Sequence, residues 1–440
     1  MLERIARRPV VILVGAQLVM LGVLLYVGRW LTFWWDEWRF ISDRSDPTPH
    51  AILAPYFDTF VAVPVLVYEA LLAVFGLRTY LPYLLVDWGA HFAVAYLLYR
   101  IVNRRSGVVL GLAAGISVVF LGSGYEVLLQ PFQIQYLFAT VGGLVAIDQI
   151  DENRPVVAAI ALLPAVASSG LGVIYVGLIV VWGILQRHRA TLLATAPAIA
   201  AYAAWYFTWG RENGHLAGPG LSPLESAYSV LYGMGAAVSG IVGLPPERFA
   251  LVGLALAAAA LVVTTILARR GYRPDPLVMA AIAALAAEQI LRAAYRGQFG
   301  EDYGARSGYV YAGVIFVWLA IGGLIGNRLP NRRAVPVIAA VLLVPMVLGN
   351  MLQFAGAAVH YRGARATELA ELQLIESLRS DPRLALDVQP DDTNAIDITA
   401  RTYLAAIDRF GRPTLGYDWQ SSVDAAAVDA ARRRLLPGSP

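Results

Sequence analysis

Long apolar stretches separated by short polar connections run from residue 10 to residue 355. A helix that crosses the hydrocarbon core of a bilayer needs about 20 mostly apolar residues. Eleven stretches approach this pattern: Val10–Val27, Leu81–Val102, Val108–Leu121, Tyr136–Ile150, Val156–Ala167, Leu171–Leu185, Thr191–Thr208, Phe249–Leu267, Leu277–Tyr295, Tyr309–Ile325 and Val335–Ala355. The pattern predicts an all-α polytopic membrane protein with about 11 transmembrane helices.

Two further apolar stretches are ambiguous, because Ala51–Leu77 is interrupted by Pro64 and Glu69, and Tyr228–Leu244 by several glycines. The distribution of arginine decides between the alternatives, since cytoplasmic loops hold the excess of positive charge. The arginine-rich connections contain Arg4, Arg7, Arg8, Arg100, Arg104, Arg105, Arg154, Arg187, Arg189, Arg269, Arg270, Arg273, Arg328, Arg332 and Arg333. These connections all lie on one side of the membrane only if neither ambiguous stretch crosses the bilayer. We therefore predict two helices that lie on or dip into the outer surface.

This topology predicts a cytoplasmic N-terminus and a first large extracytoplasmic loop over residues 29–80. The composition changes after Phe354, where a charged amphipathic run around Glu368 begins. We expect a membrane domain over residues 1–355 and a small extracytoplasmic C-terminal region over residues 356–440. That region is too short to bury much core alone, so it should pack on the outward loops.

Composition agrees with a membrane location, since 58% of the residues are hydrophobic and only 15% are charged. All 34 basic residues are arginine, and the abundance of alanine, glycine and arginine indicates a GC-rich, actinobacteria-like source. We expect the bacterial cytoplasmic (inner) membrane. The absence of cysteine excludes disulfides and thiolate chemistry. Arginines at membrane edges disfavour a nucleic-acid partner, and the absence of a P-loop disfavours an ATP-driven pump.

The sharpest candidate feature is Trp34-Trp35-Asp36-Glu37-Trp38, just outside the first predicted helix. Tryptophan is common at membrane interfaces, so the aromatic residues alone are explained by anchoring. Two adjacent carboxylates among apolar rings lose hydration, which favours a reactive site over a solvated loop.

An Asp-Glu pair in the first outward loop, followed by surface-lying helices and a many-helix body, resembles the GT-C superfamily of membrane glycosyltransferases. That superfamily includes protein O-mannosyltransferases, the lipid A aminoarabinose transferase and mycobacterial arabinosyltransferases. The resemblance covers residues 1–355 in topology, and its motifs are short. It implies a polyprenyl-phosphate sugar donor, an outward active site, Asp36 as catalytic base and Glu37 as its neighbour.

Other outward residues fit the same implied site. Trp35 and Trp38 could stack on sugar faces, and Glu126 occupies a loop where several GT-C members carry another acid. Gln133 and Gln135 in that loop suit sugar hydroxyls, although ordinary polar loop residues explain the three equally well. Ser168-Ser169-Gly170 joins two short helices, which is typical either of a cavity lining or of a tight hairpin.

Charged residues inside predicted helices are costly unless neutralised or functional. Asp87 with His91, and Glu288 with Arg292, have the four-residue spacing that allows mutual neutralisation.

A basic cluster is predicted where two consecutive helices meet at the outward side. Arg296 ends one helix, and Arg306 precedes Tyr309 in an Arg-Ser-x-Tyr-x-Tyr stretch that resembles the arginine-tyrosine segment of several GT-C members. Guanidinium groups clamp phosphate well, so we predict that Arg292, Arg296, Arg306 and Tyr309 bind a lipid phosphate. Interfacial snorkelling is the alternative for Arg296.

The histidines show no zinc-ligand spacing. A divalent cation of the magnesium or manganese type would use oxygen ligands such as Asp36, Glu37 or Glu126, and the sequence leaves its presence open.

The sequence thus predicts an inverting glycosyltransferase that moves a sugar from a polyprenyl-phosphate donor to a cell-envelope glycan, glycolipid or protein. The alternative is a transporter or flippase of a lipid-linked precursor, which would favour paired repeats and broken helices in two halves. A noncatalytic envelope scaffold would leave the loop carboxylates unexplained.

Overall fold

The computed structural model describes residues 8–211, 221–325, 334–415 and 419–437, among which there are helices and no β-strand. The first nine helices are α1 (Pro9–Gly28), α2 (Asp36–Asp43), α3 (Pro49–Leu53), α4 (Ala62–Phe75), α5 (Leu81–Ser106), α6 (Val108–Val119), α7 (Tyr125–Leu129), α8 (Ile134–Asp151) and α9 (Pro155–Val166). The next nine are α10 (Gly170–Gln186), α11 (Arg189–Trp205), α12 (Pro223–Ile241), α13 (Pro246–Arg269), α14 (Pro276–Arg296), α15 (Ser307–Ile325), α16 (Ala334–Ser377), α17 (Ala400–Phe410) and α18 (Ala425–Leu435).

Local sequence explains several helix starts. Proline occupies the first turn of α1, α9, α12, α13 and α14, where its missing N–H costs no hydrogen bond. Ser222 and Glu225 form a capping box at α12, and the Asp275 carboxylate accepts a hydrogen bond from the Leu277 N–H at α14.

Seven helical segments of the described residues are long and apolar enough to cross a membrane: Pro9–Gly28, Leu81–Ser106, Arg189–Gly210, Pro246–Arg269, Pro276–Phe299, Ser307–Ile325 and Val341–Ser377. An eighth is obtained if Val108–Val119 and Gly122–Leu129, bent by 40°, count as one span. The predicted count of eleven is not confirmed. The remaining predicted spans are α8, which carries Asp148 and Asp151, and α9 and α10, which have only 12 and 17 residues.

One end of the bundle, the arginine-rich end, is held by ion pairs between Arg100, Arg104 and Arg105 of α5 and acids elsewhere. Arg100 contacts Glu152 at 2.8 Å, and Arg105 contacts Asp151 at 2.6 Å and Asp275 at 3.3 Å. These pairs bring the ends of α5 and α8 and the start of α14 together. Of the predicted arginine-rich connections, Arg4, Arg7, Arg328, Arg332 and Arg333 lie outside the described residues.

Neither ambiguous stretch is among the candidate spans of the described residues. α4 has 14 residues, about 21 Å of helix, against a hydrocarbon core of roughly 30 Å. α12 runs from the α14–α15 connection to the bend between α6 and α7. Leu221, just before α12, packs on Gly297, and the Gly240 carbonyl near its end accepts a hydrogen bond from Ser123 at 3.3 Å.

The C-terminal region packs on the first loop, as expected from its size. The Leu77 N–H donates to the Phe410 carbonyl at 3.0 Å, and Arg409 pairs with Asp46 at 2.8 Å. The predicted boundary at residue 355 falls inside the 44-residue helix α16, which connects the bundle to this region.

Candidate functional site

A cavity of about 430 Å³ lies at the end of the bundle opposite the arginine-rich end. Nine of the eleven predicted site residues line it: Trp35, Asp36, Glu126, Gln133, Gln135, Arg292, Arg296, Arg306 and Tyr309. The first loop, the α6–α8 connection and the α14–α15 connection supply them. Segments far apart in sequence therefore converge on one chamber.

The short helices α9 and α10 help to make room for this chamber. Helices of 12 and 17 residues extend only about 18 Å and 26 Å, less than the hydrocarbon thickness. Their connection consequently lies within the bundle, and Ser169, Gly170 and Leu171 line the cavity. This placement supports the cavity-lining interpretation of the Ser168-Ser169-Gly170 turn, with Ser168 itself buried beside the Pro164 carbonyl.

Asp36 is the first residue of α2 and lines the cavity. Its Oδ1 accepts a short hydrogen bond from the Tyr56 hydroxyl. Burial raises the pKa of Asp36 above its ordinary value, while the Tyr56 hydrogen bond and the charges of Arg39 and Arg306 oppose that shift. A carboxylate with a raised pKa and a fixed orientation is suited to accept a proton.

Glu37 lies behind the cavity and does not line it, which corrects its predicted role beside the reacting groups. Its side chain is fully buried and accepts hydrogen bonds from the hydroxyls of Tyr68 and Tyr80, each at 2.7 Å, and from the Trp34 N–H at 3.0 Å. Burial raises the pKa of Glu37 to about 7. Helical geometry explains the difference, since adjacent residues of a helix point about 100° apart.

Trp38 is also absent from the cavity wall. Its indole is 1% exposed and donates to Glu368 Oε1 at 2.9 Å. The ring therefore packs in the core between α2 and α16 and does not offer a face to a sugar. Only Trp35 of the predicted stacking pair borders the cavity.

Glu126 and Arg306 form one charged pair of the cavity, with 3.6 Å between Oε1 and Nη2. The start of α15 fixes Glu126, because the Gly308 N–H donates to its Oε2 at 3.0 Å and Ser307 Oγ accepts from its backbone N–H at 3.0 Å. Arg306 Nη1 donates to the Tyr303 hydroxyl at 3.0 Å.

Arg296 and Asp58 form a second charged pair, at 3.8 Å. Arg292 differs from the other two arginines because protein groups hold most of its donors. Its Nε donates to Gln289 at 2.9 Å and its Nη2 to Ser229 Oγ at 2.9 Å, while its buried Nη1 has no hydrogen-bond partner. Arg292 thus braces α12 against α14, with one donor group left for a ligand.

The expected neutralising pairs inside helices are not formed. Glu288 accepts from Gln289 at 2.6 Å and makes no ion pair with Arg292. His91 contacts the Tyr311 hydroxyl at 2.9 Å and the Val119 carbonyl at 3.3 Å, and neither oxygen of the buried Asp87 has a hydrogen-bond partner. These side chains contact other partners instead, most of them on neighbouring helices. The four-residue spacing within one helix does not reveal such partners.

Among the described residues no three histidine or acidic side chains come close enough to hold a metal ion. Asp36 and Glu126 both line the cavity, and each has its own local partner, Tyr56 and the Arg306–Gly308 segment respectively.

Sequence reasoning missed Tyr56, Phe57 and Asp58, which line the cavity from within a stretch regarded as a mainly apolar surface helix. The stretch is interrupted there by a tight turn, in which Tyr56 and Thr59 exchange backbone hydrogen bonds of 3.0 Å. An aromatic-acid pair within an apolar run was the available signal. Tyr202, Tyr206 and Tyr295 add an aromatic wall, and Tyr206 begins a π-helical turn.

No protein family, curated protein or solved structure matches this chain in sequence or fold.

Proposed function

We propose that this protein is an inverting glycosyltransferase that moves one sugar from a polyprenyl-phosphate donor to an acceptor hydroxyl of the cell envelope. The observation that carries the proposal is the composition of one cavity, where a buried carboxylate, Asp36, shares the wall with Arg296 and Arg306. A proton acceptor and an anion clamp are the two devices that such a transfer needs.

These residues supply the groups for a single displacement at the anomeric carbon. The acceptor oxygen attacks the anomeric carbon while the bond from that carbon to the phosphate oxygen breaks, so configuration inverts. Asp36 takes the hydroxyl proton through Oδ2, because Tyr56 occupies Oδ1. The phosphate leaves as a stable anion that needs no general acid, and the guanidinium groups of Arg296 and Arg306 hold its charge.

Glu126 and the amides support the acceptor in this proposal. Gln133 and Gln135 line the same wall as Glu126, and amide groups both donate to and accept from sugar hydroxyls. Trp35 offers the aromatic face at the rim. A magnesium or manganese ion is not required by this arrangement, because arginine supplies the positive charge.

The proposal includes an orientation. The cavity faces the extracytoplasmic side of a bacterial inner membrane, the arginine-rich end faces the cytoplasm, and the C-terminal region lies outside. This follows the charge rule for loops, since Arg100, Arg104 and Arg105 lie at the other end. About eleven passes would then be made, with α9 and α10 crossing only in part.

The test uses purified protein in detergent with radiolabelled polyprenyl-phosphoryl mannose or arabinose. We expect the label to pass to an acceptor fraction of membrane glycolipid with release of polyprenyl phosphate, and the Asp36→Asn variant to be inactive. Turnover of neither donor by folded protein, or equal turnover by wild type and Asp36→Asn, would refute the proposal.

A further inference from the structure

Three residues with a positive backbone φ lie where the C-terminal region contacts the cavity rim. Trp35, Phe57 and Asp397 have φ values of 48°, 51° and 67°. Large side chains rarely adopt this conformation, and it persists only where the surroundings enforce it. Trp35 and Phe57 both line the cavity, so the enforcing contacts matter for the site.

The backbone of residues 391–397, here named the tail segment, holds Trp35 at the cavity rim and its buried neighbour Trp34. Trp34 Nε1 donates to the Asn394 carbonyl at 2.8 Å, and Trp35 Nε1 donates to the Thr393 carbonyl at 3.0 Å. The Asp391 side chain orders these carbonyls, because it accepts from the Thr393 N–H at 2.8 Å and from Asn394 Nδ2 at 2.7 Å. The tail segment thus fixes the residue that precedes Asp36.

A second series of contacts connects the tail segment with Arg296. Asp397 pairs with Arg39 at 2.6 Å. The Arg39 guanidinium lies 5.4 Å from the centre of the Phe57 ring, and the Arg296 guanidinium lies 5.2 Å from the same ring. Cations near an aromatic ring are attracted to its electron-rich face, so Phe57 links the two arginines.

We infer that the tail segment is a positioning part of the site. Asp397 holds Arg39, and Arg39 and Phe57 set the place of Arg296. The Thr393 carbonyl keeps Trp35 at the rim, and the Asn394 carbonyl holds the buried Trp34 beside it. The role of Arg296 as an anion ligand rests on the proposed function, whereas the ordering of the rim does not.

The ion pair between Asp387 and Arg401 lies in the C-terminal region but outside the tail segment. Asp387 pairs with Arg401 at 2.7 Å within that region, and its side chain is 77% exposed, against 13% for Asp397. Asp387→Asn therefore makes the same chemical change in the same region without touching the cavity, and it is the matched control for Asp397→Asn.

The experiment compares wild type, Asp397→Asn, Asp397→Glu and Asp387→Asn as purified full-length proteins. Farnesyl phosphate serves as the lipid-phosphate probe, and hydrogen–deuterium exchange is followed over residues 34–39 and 56–59. We expect Asp397→Asn to bind the probe roughly five- to tenfold more weakly, with an unchanged thermal midpoint and faster exchange in both segments. Asp397→Glu should recover most of the affinity, and Asp387→Asn should match wild type.

Equal exchange rates in Asp397→Asn and Asp387→Asn would overturn the positioning role, whatever the probe shows. Unchanged probe affinity in Asp397→Asn, beside a wild type that binds, would overturn the link to Arg296. If wild type itself does not bind the probe, the proposed function fails, and the exchange rates alone then decide whether the tail segment orders the rim.

Discussion

The two ends of the helix bundle use the same residue types in different ways. At the arginine-rich end, Arg105 contacts Asp151 at 2.6 Å, and Arg100 contacts Glu152 at 2.8 Å. At the cavity, Arg296 lies 3.8 Å from Asp58 and Arg306 lies 3.6 Å from Glu126. The first distances are those of charge-assisted hydrogen bonds, and the second are longer than any hydrogen bond.

This difference separates a structural ion pair from an available cation. A guanidinium bonded to carboxylates on a neighbouring helix has few donors left, and it fixes the two helix ends against each other. A guanidinium near an acid but not bonded to it keeps its charge balanced. Arg296 and Arg306 each donate from Nη1 to a neighbouring tyrosine, and their other N–H groups face no carboxylate of the described residues at hydrogen-bond distance and can bind an anion. Side-chain exposure does not follow this division, since Arg296 at the cavity is 17% exposed and Arg100 at the other end is 32% exposed, so contact distance and not exposure separates the two kinds of arginine.

The largest expected effect concerns the proton acceptor at the cavity. Asp36→Asn keeps the shape of the side chain but cannot take the acceptor proton, so transfer should fall by about 10² to 10⁴ while donor binding persists. Single-turnover transfer of labelled sugar measures the rate. Full activity in the folded variant would remove the base assignment, and loss of donor binding alone would make Asp36 a ligand.

The second prediction contrasts the arginines of the two ends directly. Arg296→Ala and Arg306→Ala should each weaken polyprenyl phosphate binding by about 1.5 to 3 kcal/mol, the scale of a charged hydrogen bond. Lysine should restore only part, because it loses the forked geometry. Arg104→Ala should leave binding unchanged and lower the thermal midpoint, since Arg104 contacts Asp148 at 3.2 Å. Equal binding in all three variants would contradict the comparison.

The third prediction uses the buried carboxyl behind the cavity. Because burial raises the pKa of Glu37 to about 7, the folded state binds its proton more tightly than the unfolded state does. Stability from this group is complete below the ordinary pKa of 4.5 and is lost as pH rises to about 7. The thermal midpoint should therefore fall by several degrees from about pH 5 to about pH 8.

Glu37→Gln removes this titration and is the control for it. The midpoint of the variant should lie lower at acid pH, because the amide places donors against Tyr80 and the Trp34 N–H, but its pH dependence should be flatter. An equally steep fall in both proteins would assign the titration to another group.

The smallest expected effect on the protein comes from single cysteine substitutions, which test which end of the helix bundle faces out of the cell. Since the chain has no cysteine, single cysteines can be placed at Ser380 in the C-terminal region and at Gln186 near the arginine-rich end, both exposed. An impermeant maleimide added to whole cells should label the first and spare the second. The reverse result would invert the proposed orientation and place the cavity in the cytoplasm.

The sequence was informative where periodicity and charge act locally. Each predicted span is helical, and neither doubtful stretch is among the candidate spans of the described residues, because apolar length depends on neighbours in sequence. The cavity residues Asp36, Glu126 and Arg306 were found for the same reason, since each is a charge at the end of an apolar run.

The sequence could not predict contacts that depend on residues far away in the chain. Asp36 and Glu37 are adjacent in sequence, yet their surroundings differ. Glu37 is buried against Tyr68 and Tyr80, whereas Asp36 lines the cavity. Asp58 joins the site only because the chain turns at Phe57. Arg292 has the spacing to reach Glu288, but it donates a hydrogen bond to Ser229 of the neighbouring helix α12 instead.

The 44-residue helix α16 has a practical consequence for imaging. Such a helix is about 66 Å long, twice the hydrocarbon thickness, and it joins the bundle to the C-terminal region as one rod, in which Pro345 removes a backbone hydrogen bond in the first third. Hydrogen bonds from Trp34 and Leu77 to that region brace the rod from the side. An antibody fragment raised against α17 or α18 should therefore keep a fixed orientation relative to the bundle. It would serve as a rigid fiducial for aligning particles of the detergent-solubilised protein.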